Sequence, residues 1–226
     1  MFENIHRCLR PFLPVMSYAR YNGMLVDIER KPLDWRYARD RDLADRPDYE
    51  VALVSSLKGH VRAGDTVVVV GGGLGVTACV AAQLAGPGGR MICFEGNSKG
   101  VQQTRRALEL NGVAERAQVR EAIVAVDAGV YAGEKSDVIL PPQSLPDCDI
   151  LQLDCEGAEI EIIRHMTITP RSVIVETHGF LGASTEQVTQ ALITRGYSVT
   201  NIGPAEPVYL EFCQKNDIMC LIGLKN

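Results

Sequence analysis

Four glycines fall within five positions, Gly71-Gly72-Gly73-Leu74-Gly75, directly after the β-branched run TVVVV (66–70). Glycine at such a turn lets a ligand come close to the backbone. A helix that follows it offers free amide hydrogens in its first turn. Twenty residues past Gly75 a second apolar run, MICFE (91–95), ends in Glu95. A carboxylate in that place accepts the ribose hydroxyls of an adenosine cofactor, so turn and acid together describe a nucleoside site. Two later runs also end in ionisable groups. CDILQLDCEGAEIEII puts Asp154 at a strand end, Glu156 and Gly157 in the turn, and Glu159 on the next helix, while RSVIVETHG puts Glu176 and His178 at the end of the following strand. Carboxylates beside a histidine suit proton transfer and positioning, the histidine because its ordinary pKa lies near neutrality. Asp154, Glu176 and His178 are also oxygen and nitrogen donors that could converge on a metal. Positioning is the preferred reading, and no metal is expected.

The glycines alone do not decide the cofactor. Gly73-x-Gly75-x-x-Ala78 fits the dinucleotide pattern, and Gly71-x-Gly73-x-Gly75 fits the methyltransferase one. Tyr131-x-x-x-Lys135 has the spacing used by short-chain dehydrogenases. It sits in a glycine-containing loop, however, and that family opens with its glycine turn, whereas here a long section precedes it.

These groups need elements to hold them. From Asp48, a possible N-cap, Val51, Val54, Leu57 and Val61 recur at helical spacing. TVVVV is the first strand of the main unit, Val76–Leu84 a helix and MICFE the second strand. Asn97 or Ser98 caps a helix to about Leu110, stopped by Asn111-Gly112. AQVRE (117–121) is a third strand, and residues 127–148 are mostly loop. DILQLD (149–154) and SVIVET (172–177) are strands separated by a helix from near Ala158. Thr185–Thr194 is a helix stopped by Gly196. YSVTNI and DIMCLIGL are the last two strands, joined by a long connection. Alternating strands and helices imply a doubly wound, Rossmann-like α/β fold with a mostly parallel sheet of seven strands, the last two closing as an antiparallel hairpin. In such sheets ligands sit beyond the carboxyl ends of the strands, where the candidate residues lie.

Composition narrows the class. At 226 residues the chain suits one large domain, or one domain with an appendage. With 46% hydrophobic and 23% charged residues it is neither disordered nor a multi-span membrane protein. A net charge of −5 argues against a nucleic-acid partner. Residues 66–89 carry no charge, but the glycine cluster breaks them into a strand and a helix, so no membrane span is expected. Seven cysteines without CxxC spacing read as reduced thiols of a cytoplasmic protein. Residues 30–46 mix six basic and four acidic residues with Trp35 and Tyr37. Residues 1–47 therefore form an N-terminal arm or lid, and 48–226 the main domain.

The strand-end motifs resemble the FkbM family of S-adenosylmethionine-dependent methyltransferases. Its fourth-strand signature, Asp-x-Glu-Gly-x-Glu, is matched by Asp154-x-Glu156-Gly157-x-Glu159, and its fifth-strand Glu-x-His by Glu176-x-His178. GGGLG and LELNG are similar as well, and the resemblance covers about 48–226. It implies the cofactor S-adenosylmethionine, held by Gly71, Gly72, Gly73, Gly75, Glu95, Gly96, Asn97 and Asp154, with adenine packed near Ala122 and bordered by Glu121. It implies methyl transfer to an oxygen of a small molecule, sugar or glycan, with His178 as base and Glu156 and Glu176 beside it. The family carries an acid two residues before the first loop glycine, and this chain has Val69. That leaves the methionine end of the cofactor to loop carbonyls, Glu50 or Asp154. A short-chain NAD(P)-dependent reductase and a non-catalytic binding protein on the same fold are the rival readings. The acceptor and the oligomeric state, homodimer included, stay open.

Overall fold

The computed structural model describes residues 18–28, 45–126 and 138–225. Trp35, Tyr37, Tyr131 and Lys135 lie outside them. A short hairpin comes first, β1 (Tyr18–Tyr21) and β2 (Met24–Asp27), with the two-residue β3 (Asp45–Arg46) pairing parallel to β1. Then follow α1 (Val51–His60), β4 (Thr66–Val70), α2 (Val76–Ala85), β5 (Arg90–Glu95), α3 (Ser98–Leu110) and β6 (Ala117–Glu121). The small pair β7 (Ile123–Val124) and β8 (Ile139–Leu140) precedes β9 (Ile150–Leu153), α4 (Glu159–His165) and β10 (Ser172–Glu176). The chain ends with α5 (Thr185–Thr194), β11 (Tyr197–Pro204), α6 (Leu210–Asn216) and β12 (Met219–Lys225).

The main sheet has seven strands in the order β11-β12-β10-β9-β4-β5-β6. Strands β4, β5, β6, β9 and β10 run parallel, and β12 is antiparallel to both β10 and β11. This is the doubly wound mixed sheet expected from the alternation, with its closing hairpin. The order turns outward in both directions from β4, so the switch point lies between β4 and β9. Side chains alternate across the sheet. Val68 and Val70 join the core that holds Ile162, Val188 and Leu192, whereas Val67 and Val69 join the one that holds Leu53, Leu57 and Val80. A strand covered on both faces can be valine throughout, which is why an uncharged stretch folds here as strand, turn and helix. No described helix is long and apolar enough to cross a membrane, and the six described cysteines are all free.

Two sequence expectations need correction. The N-cap position of α1 is Glu50, in the left-handed region at φ 47° and without a side-chain cap, rather than Asp48. The long connection between the last two strands contains α6, whereas the described part of 127–148 departs from loop only at the two-residue β8 and a single 3-10 turn at Pro142–Ser144. The N-terminal arm includes strands. Asn22 and Gly23 both have positive φ, 49° and 82°, the Asn-Gly turn that fits a two-residue hairpin.

Asn111 ties this hairpin to the domain through the backbone of Leu25. Asn111 Oδ1 accepts from the Leu25 amide at 3.0 Å, and its Nδ2 donates to the Leu25 carbonyl at 2.8 Å and the Ala107 carbonyl at 2.7 Å. Val26, fully buried, belongs to the same core as α1 and α2. Asn111→Ala strands both polar groups of Leu25. It is expected to lower unfolding free energy by roughly 1–2 kcal/mol, read by urea denaturation, and to hasten proteolysis within the hairpin.

Candidate active site

The glycine turn closes against its neighbours. A Cβ on Gly71, at φ +94°, would stand 1.8 Å from the Asp154 carbonyl oxygen, so no other residue fits. Gly72 and Gly75 lie nearly as tight, against Thr104 with Cys93 and against Thr104 with Ala107. Gly73 differs. A Cβ there would meet nothing within 4 Å, so Gly73 borders open space where a ligand can approach. Glu95 organises the turn. One carboxylate oxygen accepts from the amides of Gly72 at 2.8 Å and Gly73 at 3.0 Å, and the other accepts from Asn97 at 2.8 Å. The acid read as a ribose acceptor is thus also a support of the turn.

The other cofactor candidates gather around it. Asn97 caps α3, accepting from Lys99 and Gly100. Gly96 packs against Ile123 and leaves no room for a Cβ. Ala122 is buried, its amide donating to the Glu95 carbonyl at 3.0 Å. Glu121 is exposed and accepts from the Ser98 hydroxyl. Asp154 joins this group to the next, since its amide donates to the Val70 carbonyl at 2.9 Å.

Across the switch point lies a cavity of about 540 Å³. Five carboxylates line it, from Glu50, Asp154, Glu156, Glu176 and Glu206, with His178 and, among the described residues, no lysine or arginine. Tyr49, Tyr209 and Phe212 add aromatic wall. His178 is 5% exposed. Its Nδ1 lies 2.8 Å from Glu159 Oε1. A carboxylate only accepts, so Nδ1 carries the hydrogen and Nε2 faces the acids, 3.6 Å from Asp154 Oδ1 and 3.9 Å from Glu176 Oε1. Glu159 is fully buried and also accepts from the Cys155 and Gly157 amides, which fixes the ring from the start of α4.

Crowded acids in a low-dielectric wall hold their protons. Burial, then the charge of Asp154, pushes Glu50 up to about 8. Burial, then Asp154, Glu50 and Glu206, pushes Glu176 up to about 10. Burial raises Asp154 to about 6 although the His178 charge opposes it. Burial alone would depress His178, but the Glu159 hydrogen bond and the Asp154 charge outweigh it and raise its pKa. Two of these acids, Glu50 (φ 47°) and Glu156 (φ 54°), hold left-handed backbone, a conformation that costs a non-glycine residue roughly 1 kcal/mol or more.

Sequence reasoning overlooked Tyr49, Glu206, Tyr209 and Phe212. Pro207 ahead of spaced aromatics was the available sign of a short helix. It also overlooked Gln152, which pairs in register with Val69 on the neighbouring strand. Gln152 is fully buried, and among the described residues neither of its side-chain polar atoms has a hydrogen-bond partner. A buried amide therefore stands beside Val69.

The chain matches no family model and no curated protein sequence. Its fold is similar to a precorrin-6y C5,15-methyltransferase from Geobacter metallireducens, with TM-score 0.53 and 17% identity over 85% of this chain and 96% of that one. It is also similar to a SAM-dependent O-methyltransferase from Thermotoga maritima, with TM-score 0.50 and 14% identity over 92% of this chain and 77% of that one. The fold is the Rossmann-like fold of methyltransferases.

Burial of Glu50 links stability to pH. Its folded pKa of about 8 lies above the ordinary 4.5, so the folded state keeps a proton that the unfolded chain has released. This contribution is complete below the unfolded value and is lost as pH rises through the folded one. Urea midpoints are expected to fall between roughly pH 5 and 9, and Glu50→Gln, neutral throughout, to flatten the decline. Equal slopes in both proteins would clear Glu50 of the effect.

Proposed function

We propose that this protein is an S-adenosylmethionine-dependent methyltransferase of FkbM type, acting on a hydroxyl of a small molecule, sugar or glycan. One observation carries the reading. The glycine turn with its acid and the histidine-centred cavity meet at the switch point, joined by the backbone contact of Gly71 with Asp154. Ligands bind there in doubly wound sheets. The residues suit the cofactor. Gly73 borders open space, and Ala122 offers a small apolar floor for adenine. Glu95 retains lone pairs for ribose hydroxyls beyond the amides it already accepts. Glu50 has a buried carboxylate oxygen without a hydrogen-bond partner among the described residues, a fitting receptor for the methionine amine that Val69 cannot hold.

S-adenosylmethionine supplies an already activated methyl group, so the protein's task is alignment and removal of one proton. His178 takes that proton. Glu159 holds its Nδ1–H, which leaves Nε2 open toward the cavity as acceptor. Glu176, with its raised pKa, keeps a proton near neutrality and donates a hydrogen bond to the acceptor molecule. Glu156 shapes the rim. The domain 48–226 carries the chemistry, and the arm 1–47 meets the acceptor. The free cysteines suit the cytoplasm.

Calorimetric titration with S-adenosylhomocysteine is expected to show binding to one site per chain. Glu95→Ala should weaken it by roughly 1–3 kcal/mol, with circular dichroism confirming the fold. Folded parent protein that binds NADPH and ignores S-adenosylhomocysteine would overturn the proposal.

A further inference from the structure

We propose that Asp154, Glu176 and His178 form a binding site for one divalent transition-metal ion of the Mn²⁺ or Zn²⁺ kind. The three side chains present ligand atoms that all lie within 4.8 Å of one another. Oxygen and nitrogen donors sit about 2.0–2.2 Å from such ions, which places neighbouring donors roughly 3–3.5 Å apart. His178 Nε2 is already 3.6 Å from Asp154 Oδ1 and 3.9 Å from Glu176 Oε1. A rotation of each carboxylate closes the remaining gap.

The histidine supplies a second, independent sign. His178 is 95% buried as the complement of its 5% exposure, and among the described residues its Nε2 has no partner within hydrogen-bond distance. That atom points into the cavity. The opposite nitrogen is held by Glu159, which is itself wholly buried. A carboxylate that orients the far nitrogen of an imidazole is the usual support of a metal-bound histidine. Among the described residues no lysine or arginine lines the cavity to offset its acids. An imidazole in the donor set favours Mn²⁺ or Zn²⁺ over Ca²⁺, which takes oxygen ligands alone.

The site stands whether or not the chain transfers methyl groups. Its use rests on the function proposed above. With an ion in place His178 is a ligand, and the acidity of a bound hydroxyl comes from the cation instead. The cation and the proton on Nε2 exclude each other, so the two roles of His178 separate by experiment.

Metal-stripped protein is titrated with MnCl₂ while the six-line electron paramagnetic resonance signal of free Mn²⁺ is followed. One ion per chain is expected, displaced by Zn²⁺. Asp154→Asn and Glu176→Gln should each weaken binding at least tenfold. Glu206→Gln, which removes a cavity carboxylate that is not a donor, should leave it within about threefold. No bound Mn²⁺ at millimolar concentration in the parent overturns the proposal, as does equal weakening in all three variants, which would reveal only a diffuse acidic potential. S-adenosylhomocysteine titrated with and without EDTA keeps the readings apart. Its binding in a protein that takes no Mn²⁺ sinks the metal site and spares the methyltransferase. Mn²⁺ binding in a protein that ignores S-adenosylhomocysteine does the reverse.

Discussion

The backbone contact between the ends of β4 and β9 governs everything around it. The Asp154 amide donates to the Val70 carbonyl, and one residue on, Gly71 lies so close to the Asp154 carbonyl that a single methyl group would collide with it. Two strand ends this near have only one way to leave each other. β4 turns into the glycine loop toward Glu95, and β9 turns through Glu156 and Gly157 into α4. The loop and the acidic cavity are thus two sides of one junction. The absence of a side chain at Gly71 is what lets the glycine loop and the acidic cavity adjoin.

Glu95 and Glu159 play matching parts on either side. Each is a buried carboxylate that accepts from backbone amides of the turn next to it. Each then presents an ordered group to the ligand space, Gly73 on one side and the His178 ring on the other. Hydrogen bonds to charged groups are worth more than neutral ones and cost more to lose. The structure therefore places its anions where they stiffen the turns. The remaining acids of the cavity are not used in this way. They face one another across a space that no lysine or arginine among the described residues enters, two of them hold left-handed backbone, and burial raises the pKa of Glu50, Asp154 and Glu176. Such an arrangement is costly to stability.

Much of the fold was legible because its signals are local. The valines of TVVVV, the Asn97 cap, the Asn111-Gly112 stop and the Gly196 stop all act within a few residues. Each was placed within a residue or two. The motifs at Asp154 and Glu176-x-His178 were legible as well, since strand ends follow from the strands. The hairpin at Asn22-Gly23 was missed although its turn is a local signal. Helix α6 was missed because its seven residues are too few for a helical period to emerge. Gln152 was missed because nothing in a strand of alternating apolar residues marks a buried amide. Only pairing shows that it stands beside Val69.

By itself, the order of residues determined the doubly wound sheet, the glycine turn and which acids stand at strand ends. Those properties depend on propensity and period along the chain. It also carried the resemblance on which the cofactor reading rests. Tertiary structure alone decided that Glu159 orients His178, that Glu95 braces the turn, and that Glu50 and Glu206 from distant segments crowd Asp154 and Glu176. Those contacts arise between residues tens of positions apart. Their consequences for charge depend on burial, which a chain acquires only when its layers close.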